Sequence, residues 1–195
     1  LPKGHDATVT PKNRRPGGFT LWEIVIWIWI TGAAGICCHV LMGHVAAWRL
    51  YRTTRRVRKP WIEEAEQLAR ELRINRGLCF VKSAQLSVPL VLHLWRPIIV
   101  IPEAAAEWPW GRVRAVLSHE LAHIKRNDVH IQTLAQIACA AYWFNPLVWF
   151  AAHQLRLERE RACDDSVLMG GTSAADYATH LYEIAHAGSA LASVP

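Results

Sequence analysis

Apolar and polar residues along this chain alternate in three distinguishable ways. From 21 to 48 the residues are almost continuously apolar, with Ile24, Val25, Ile26, Trp27, Ile28, Trp29 and Ile30 followed by the stretch 33–45. That predicts a helix able to cross a hydrocarbon core of about 30 Å, with Trp22 and Trp48 near its ends at headgroup level. Helical spacing governs other segments. Trp61, Ala65, Leu68 and Leu72 share one face of a helix opened by Pro60, and Glu63, Glu64, Glu66, Arg70 and Arg73 cover the other. Val113, Val116, Leu117, Leu121 and Ile124 keep the same period over about 109–126, a further helix runs from 146 to about 169, and Ser173 with Asp176 in the box position caps a last one that reads as scaffold. Short β-branched runs at 78–81, 88–94 and 97–101, bounded by Pro, Ser and Arg, predict a small antiparallel sheet. The fold class is therefore α+β, mainly helical, preceded by a transmembrane helix.

Length and charge narrow this picture. The 195 residues suffice for one compact domain, or for a small domain plus membrane segments, but not for two large cores. The division read here is a connector loop 1–20, a transmembrane helix 21–48, a basic juxtamembrane segment 49–59, a domain 60–188 and a tail 189–195. The start at Leu and the close on Ala-Ser-Val-Pro read as a piece of something longer. A formal net charge of +6 would suit nucleic acid or an anionic membrane. Its distribution decides: Arg49, Arg52, Arg55, Arg56, Arg58 and Lys59 directly follow the apolar helix. Lipid headgroups are the expected partners, with no direct nucleic-acid contact, and the denser basic flank places that end in the cytoplasm, although Lys3, Lys12, Arg14 and Arg15 precede the helix. The five cysteines form no disulfide framework and read as reduced thiols.

The helix at 109–126 carries Ser118-His119-Glu120-Leu121-Ala122-His123. Two histidines four apart lie one turn apart, about 6 Å along the axis, so both imidazoles can bind one Zn²⁺. Glu120 then projects beside the metal, where it can take a proton from water. This is the pairing of a zincin-like metallopeptidase domain. A catalytic zinc needs a third protein ligand. Glu160 on the next long helix is chosen, with Asp164 one turn on as an acceptor that orients an imidazole. His153 is the fallback, Glu158 points elsewhere, and His130 has the wrong spacing, with Arg126 where a turn-forming Gly would be needed. Asp128 either orients His123 or pairs with Lys125 and Arg126, and Cys163 reads as buried packing. His130, His153, Tyr177 and His180 are oxyanion-donor candidates by type alone.

The uncharged stretch 129–152 could be counted as a second span, but a full crossing would put the two histidines and Glu160 on opposite sides of the bilayer. A hairpin broken at Asn145-Pro146 that dips and returns closes the site instead, whether it meets lipid or protein. An extended substrate could add as a strand near 88–101.

His-Glu-Leu-Ala-His-Ile-Lys-Arg-Asn-Asp at 119–128, Trp-Phe-Asn-Pro-Leu-Val-Trp at 143–149 and Leu-Glu-Arg-Glu-Arg-Ala-Cys-Asp-Asp at 157–165 resemble the BlaR/MecR-type antirepressor metallopeptidases. Arg-Pro-Ile-Ile-Val-Ile-Pro at 96–102 is similar too, so the likeness spans about 60–187. The resemblance implies a membrane-integral zinc peptidase facing the cytoplasm, with Glu160 as third ligand and Asp164 beside it. It further implies cleavage of a regulatory protein such as a DNA-binding repressor, or of the protease itself. The penicillin-binding sensor of better-known members is not present in this sequence. Rival readings are a membrane quality-control or processing protease of the HtpX or CAAX type, and a zinc-binding signal transducer that cuts nothing.

Overall fold

A computed structural model describes residues 20–57, 59–75, 77–93 and 96–192. Apart from Thr20, the connector lies outside the described residues, as do Arg58, Leu94 and 193–195. Helix α1 (Leu21–Thr53) is 33 residues long and opens on a capping box, with the Thr20 hydroxyl accepting from Glu23 N–H and the Glu23 carboxylate returning to Thr20 N–H. It is the one described helix long and apolar enough to cross a membrane, and its apolar window is not buried by the rest of the chain. It does not stop at Trp48 but runs five residues into the basic segment.

Strand β1 (Arg55–Arg56), helix α2 (Lys59–Glu71) and strands β2 (Cys79–Ser83), β3 (Leu90–His93) and β4 (Pro97–Pro102) follow. The sheet is mixed rather than purely antiparallel: its order is β1-β2-β4-β3, and β2 pairs with β4 in parallel. The reason is burial. All six residues of β4 are buried, so this strand takes the interior between β2 and β3, and the chain must pass it before returning. β1 was not legible because two arginines carry no apolar pattern; they join by backbone pairing opposite Lys82 and Val81.

Alternation along the strands divides the core. Phe80, Ile99 and Ile101 face Ala65, Leu68 and Ala69 of α2 and Val113, Leu117, Leu121 and Ile124 of α3 (Trp110–Arg126). Val81, Leu92, Ile98 and Val100 face the other way, against Ala47 and Leu50 near the end of α1. The sheet thus packs between the motif helix α3 and the end of the long apolar helix α1.

Asn127 adopts the left-handed conformation (φ 59°, ψ 36°), which ends α3 and starts α4 (Asp128–Ala141) at once. After a turn, Asn145 caps α5 (Pro146–Met169) by accepting from Leu147 N–H at 3.0 Å, with Pro146 in the first helical turn. Helix α6 (Ala174–Ala192) closes the chain and takes in the first part of the expected tail. The α4–α5 hairpin returns to its starting level, and its tip docks on α1: Trp29 Nε1 donates to Ala141 O at 3.0 Å, and Trp143 Nε1 donates to Trp29 O at 3.2 Å.

Candidate metal centre

Helix α3 presents His119 and His123 on one face, their rings edge to face with centroids 4.9 Å apart. Helix α5 packs on α3 and brings Glu160 to both. Its Oε2 lies 3.6 Å from His119 Nε2 and 3.7 Å from His123 Nε2. Donors sharing one tetrahedral zinc at about 2.0–2.2 Å would stand about 3.3–3.6 Å apart, which both Glu160–imidazole distances approach to within tenths of an ångström, and the three donor atoms all lie within 4.8 Å of one another.

The far nitrogen of each imidazole is tied back. Tyr177 O–H donates to Asp164 Oδ1 at 2.7 Å, and His119 Nδ1 lies 3.0 Å from the Tyr177 oxygen and 3.1 Å from Asp164 Oδ1. Because the one tyrosine hydrogen goes to Asp164, the His119 proton belongs on Nδ1 and the Nε2 lone pair is free for a metal. His123 Nδ1 donates to Asp128 Oδ2 at 2.8 Å, with the same result. The left-handed turn at Asn127 is what brings Asp128 under His123. Asp128 also lies 3.5 Å from the Arg126 guanidinium, whereas no ion pair to Lys125 is found among the described residues.

Cys163 is fully buried behind His123, its Sγ 3.3 Å from Nδ1. Burial, reinforced by Asp128, pushes its thiol up to about 12. His123, Asp128 and Cys163 also lie close enough to hold an ion. Cys163 and Asp128, both buried, also pack against the His123 ring from behind and fix it.

Glu120 sits in the same cleft and is pushed up to about 7 by burial, a rise that Glu160 adds to and His123 opposes. His119 is lowered, by burial first and by His123 second, against the pull of Asp164 and Glu160. Tyr177 is raised by burial and by its bond to Asp164, so it stays a neutral donor. The cleft has a volume of about 470 Å³ and is walled on the opposite side by residues 88–91, at and just before the edge strand β3.

Residues 8–194 match the family described as BlaR1 peptidase M56. The chain belongs to that family. Membership implies a metallopeptidase, and His119, His123 and Glu160 form a candidate metal site for it. The regulatory protein BlaR1 of Bacillus licheniformis is 28% identical over 142 residues, which are 72% of this chain and 24% of that protein. The methicillin resistance mecR1 proteins of Staphylococcus aureus and Staphylococcus epidermidis are each 28% identical over 87 residues, 44% of this chain and 15% of theirs. The chain spans a quarter or less of the length of these relatives.

Of the residues singled out from sequence in this M56 chain, His119, Glu120, His123 and Glu160 share one cleft, and Asp164 and Asp128 stand behind the imidazoles. The others lie elsewhere. His153 lines a separate crevice, Glu158 pairs with Arg161 at the surface, His130 is exposed, and His180 lies beside Gly111 at the start of α3. Tyr177 backs His119. Helix α6 is thus more than scaffold. Arg159 was missed: its Nη1 donates to Asp128 O at 3.0 Å and its side chain reaches the cleft. Nothing local in the sequence distinguishes Arg159 from its neighbouring arginines, and the Tyr177 contact to His119 joins residues 58 positions apart.

Proposed function

We propose that this chain is a membrane-embedded zinc endopeptidase whose site faces the cytoplasm and which cleaves a regulatory protein, such as a DNA-binding repressor, or itself. One observation carries the reading: two Nε2 atoms and one carboxylate oxygen converge with every opposing nitrogen tied back, and Glu120 stands in the same cleft. His119, His123 and Glu160 would hold the metal. Zinc there would supply the Lewis acidity that makes water nucleophilic near neutral pH and polarises a peptide carbonyl.

The chain's own residues do the rest. Burial raises the proton affinity of Glu120, which suits it to accept a proton from the attacking water and return it to the leaving amine. Asp164, Tyr177 and Asp128 keep both imidazoles in the tautomer that faces the site. The outer edge of β3 offers backbone groups on which an extended substrate can pair as an added strand.

The membrane assignment rests on α1 and on where the hairpin lies against it. His44 of α1 reaches the metal cleft and Trp29 touches the hairpin tip. Fifteen residues of helix separate them, about 22 Å, so the hairpin lies in the same layer as the apolar part of α1. Leu134, Ile137, Phe144, Leu147 and Phe150 point outward from it, as lipid contact requires. Arg49, Arg52, Arg55 and Arg56 at the end of α1 fit anionic headgroups on the cytoplasmic side. The regulatory and resistance names of the relatives support a signalling substrate.

The test is metal content and cleavage of a loosely folded protein in detergent, for the native chain, Glu120→Gln and Glu160→Ala. Zinc near one per chain in the first two, reduced zinc in the third and cleavage only by the native chain are expected. Full zinc without cleavage by any of them favours the signal transducer, and no zinc in the native chain sinks the proposal.

A further inference from the structure

A second crevice of about 530 Å³ opens between α1, α4 and α5, lined by His39, Gln132, Gln136, His153 and Arg156 among apolar neighbours. Gln132 and Gln136 line the metal cleft as well, so the two spaces adjoin along one face of α4. Glu160, Arg156 and His153 follow one another back along α5, and the antiparallel α4 offers Asp128, Gln132 and Gln136 beside them. The polar path thus leads from the metal site toward the hairpin tip for about 10 Å.

Its charge differs from that of the cleft. Glu120, Asp128 and Glu160 line the cleft together with Arg159, whereas no Asp or Glu among the described residues lines the crevice. Along α5, Arg159 is engaged by the Asp128 carbonyl and Arg161 by Glu158, while Arg156 makes no ion pair among the described residues. Arg156 is exposed and faces this cavity, whose other lining is two histidines, two glutamines and apolar side chains, so its guanidinium is available to a ligand there. Guanidinium, imidazole and primary-amide N–H groups together suit a carboxylate.

We infer that this crevice is a specificity subsite for an acidic side chain of the substrate, read mainly by Arg156. The inference rests on the protease reading above and deepens it. Arg156 lies one helical turn, about 6 Å along the axis, from Glu160. An extended peptide rises about 3.3 Å per residue, so the acidic residue falls about two positions from the scissile bond. An acid closer in would meet the carboxylates of the cleft, which makes the preference positional.

The experiment uses the full chain in detergent micelles and peptide hydroxamates that anchor on zinc, with Glu or Gln placed one, two or three residues away. Displacement binding needs no cleavage. The native chain is expected to bind the Glu form about tenfold more tightly at one placement. Arg156→Gln brings that ratio to near one with zinc content unchanged, Arg156→Glu reverses it in favour of a Lys peptide, and Arg161→Gln keeps it. Equal binding of Glu and Gln peptides at every placement, or a preference that survives in Arg156→Gln, overturns the inference. Phosphatidylglycerol binding that falls in Arg156→Gln while the peptides do not discriminate would make the crevice a headgroup site and also overturn it. A Glu preference without cleavage of any peptide would overturn the protease reading and leave the subsite, and no hydroxamate binding at all would end both.

Discussion

The two ends of the α4–α5 hairpin are built on different physics. At the metal end, Asp128 is 4% exposed and Cys163 fully buried, and polar groups are held by short, directional bonds, several of them charge-assisted. At the tip, Phe144 and Leu147 are 62% and 71% exposed, and attachment to α1 relies on two indole N–H bonds and a shape fit. Gly32 supplies the fit: a Cβ there would collide with the Trp143 ring. Directional bonds fix ligand atoms to tenths of an ångström, which a metal requires. A shape fit fixes how far the hairpin extends along α1 and leaves its outer surface apolar. If this division is real, changes at one end should leave the other end's property untouched.

The largest effect expected is at Glu120. Glu120→Gln should lower kcat/KM by about 10³-fold, within the range for loss of general base catalysis, with zinc bound as before. Near-native cleavage by this variant would remove Glu120 from the mechanism. The same substitution tests the electrostatics in metal-free protein. The Glu120 carboxyl rises from its ordinary 4.5 to about 7 on folding, so the folded state holds the proton more tightly than the unfolded one. Its favourable contribution is complete below pH 4.5 and is lost as pH rises through 7. At about 1.4 kcal/mol per pH unit, the loss approaches about 3 kcal/mol. Metal-free Glu120→Gln should therefore gain on the native chain across that window in chemical denaturation, and a constant difference from pH 4 to pH 8 would refute the buried-carboxylate account.

Both ends were unequally legible in the sequence. Helices α3 and α5 could be bounded because Pro109, Asn127 and Asn145-Pro146 punctuate clear patterns, and the His-Glu-x-x-His spacing needs only one helix. Asp164 followed from helical periodicity as well. Strand order did not, since short apolar runs say nothing about which neighbour each will pair with. The parallel β2–β4 pairing is set by where the wholly buried β4 must lie. Tyr177 and the Trp29–Trp143 pairing join residues 58 and 114 positions apart, and no local signal reports contacts of that range.

Asp128 tests the metal end further. Asp128→Ala removes the acceptor from His123 Nδ1 and leaves Arg126 without its partner, and should weaken zinc binding by about 10- to 100-fold in chelator competition. Asp128→Asn keeps an oxygen for the imidazole N–H and should fall between. At the tip, Gly32→Ala should lower stability in detergent by about 1–3 kcal/mol, as overpacking does, because the Trp143 ring must leave its place against α1. Zinc affinity should not follow. A parallel drop in zinc binding would show that hairpin depth sets ligand geometry, and the two ends would then be one device.

Tyr177→Phe should have the smallest effect and sharpens the comparison most. It deletes a hydroxyl that touches both His119 and Asp164, without opening a cavity or changing charge. Asp164 Oδ1 already lies 3.1 Å from His119 Nδ1, so the imidazole can donate to the carboxylate directly and keep its tautomer. The expected cost is a few-fold in zinc affinity, about one neutral hydrogen bond's worth. Removing the carboxylate as well, in Tyr177→Phe with Asp164→Ala, leaves Nδ1 without either acceptor and should cost more than the two single changes combined. Strict additivity would mean that tyrosine and aspartate act on His119 independently, and that the bond between them contributes nothing to holding the ring.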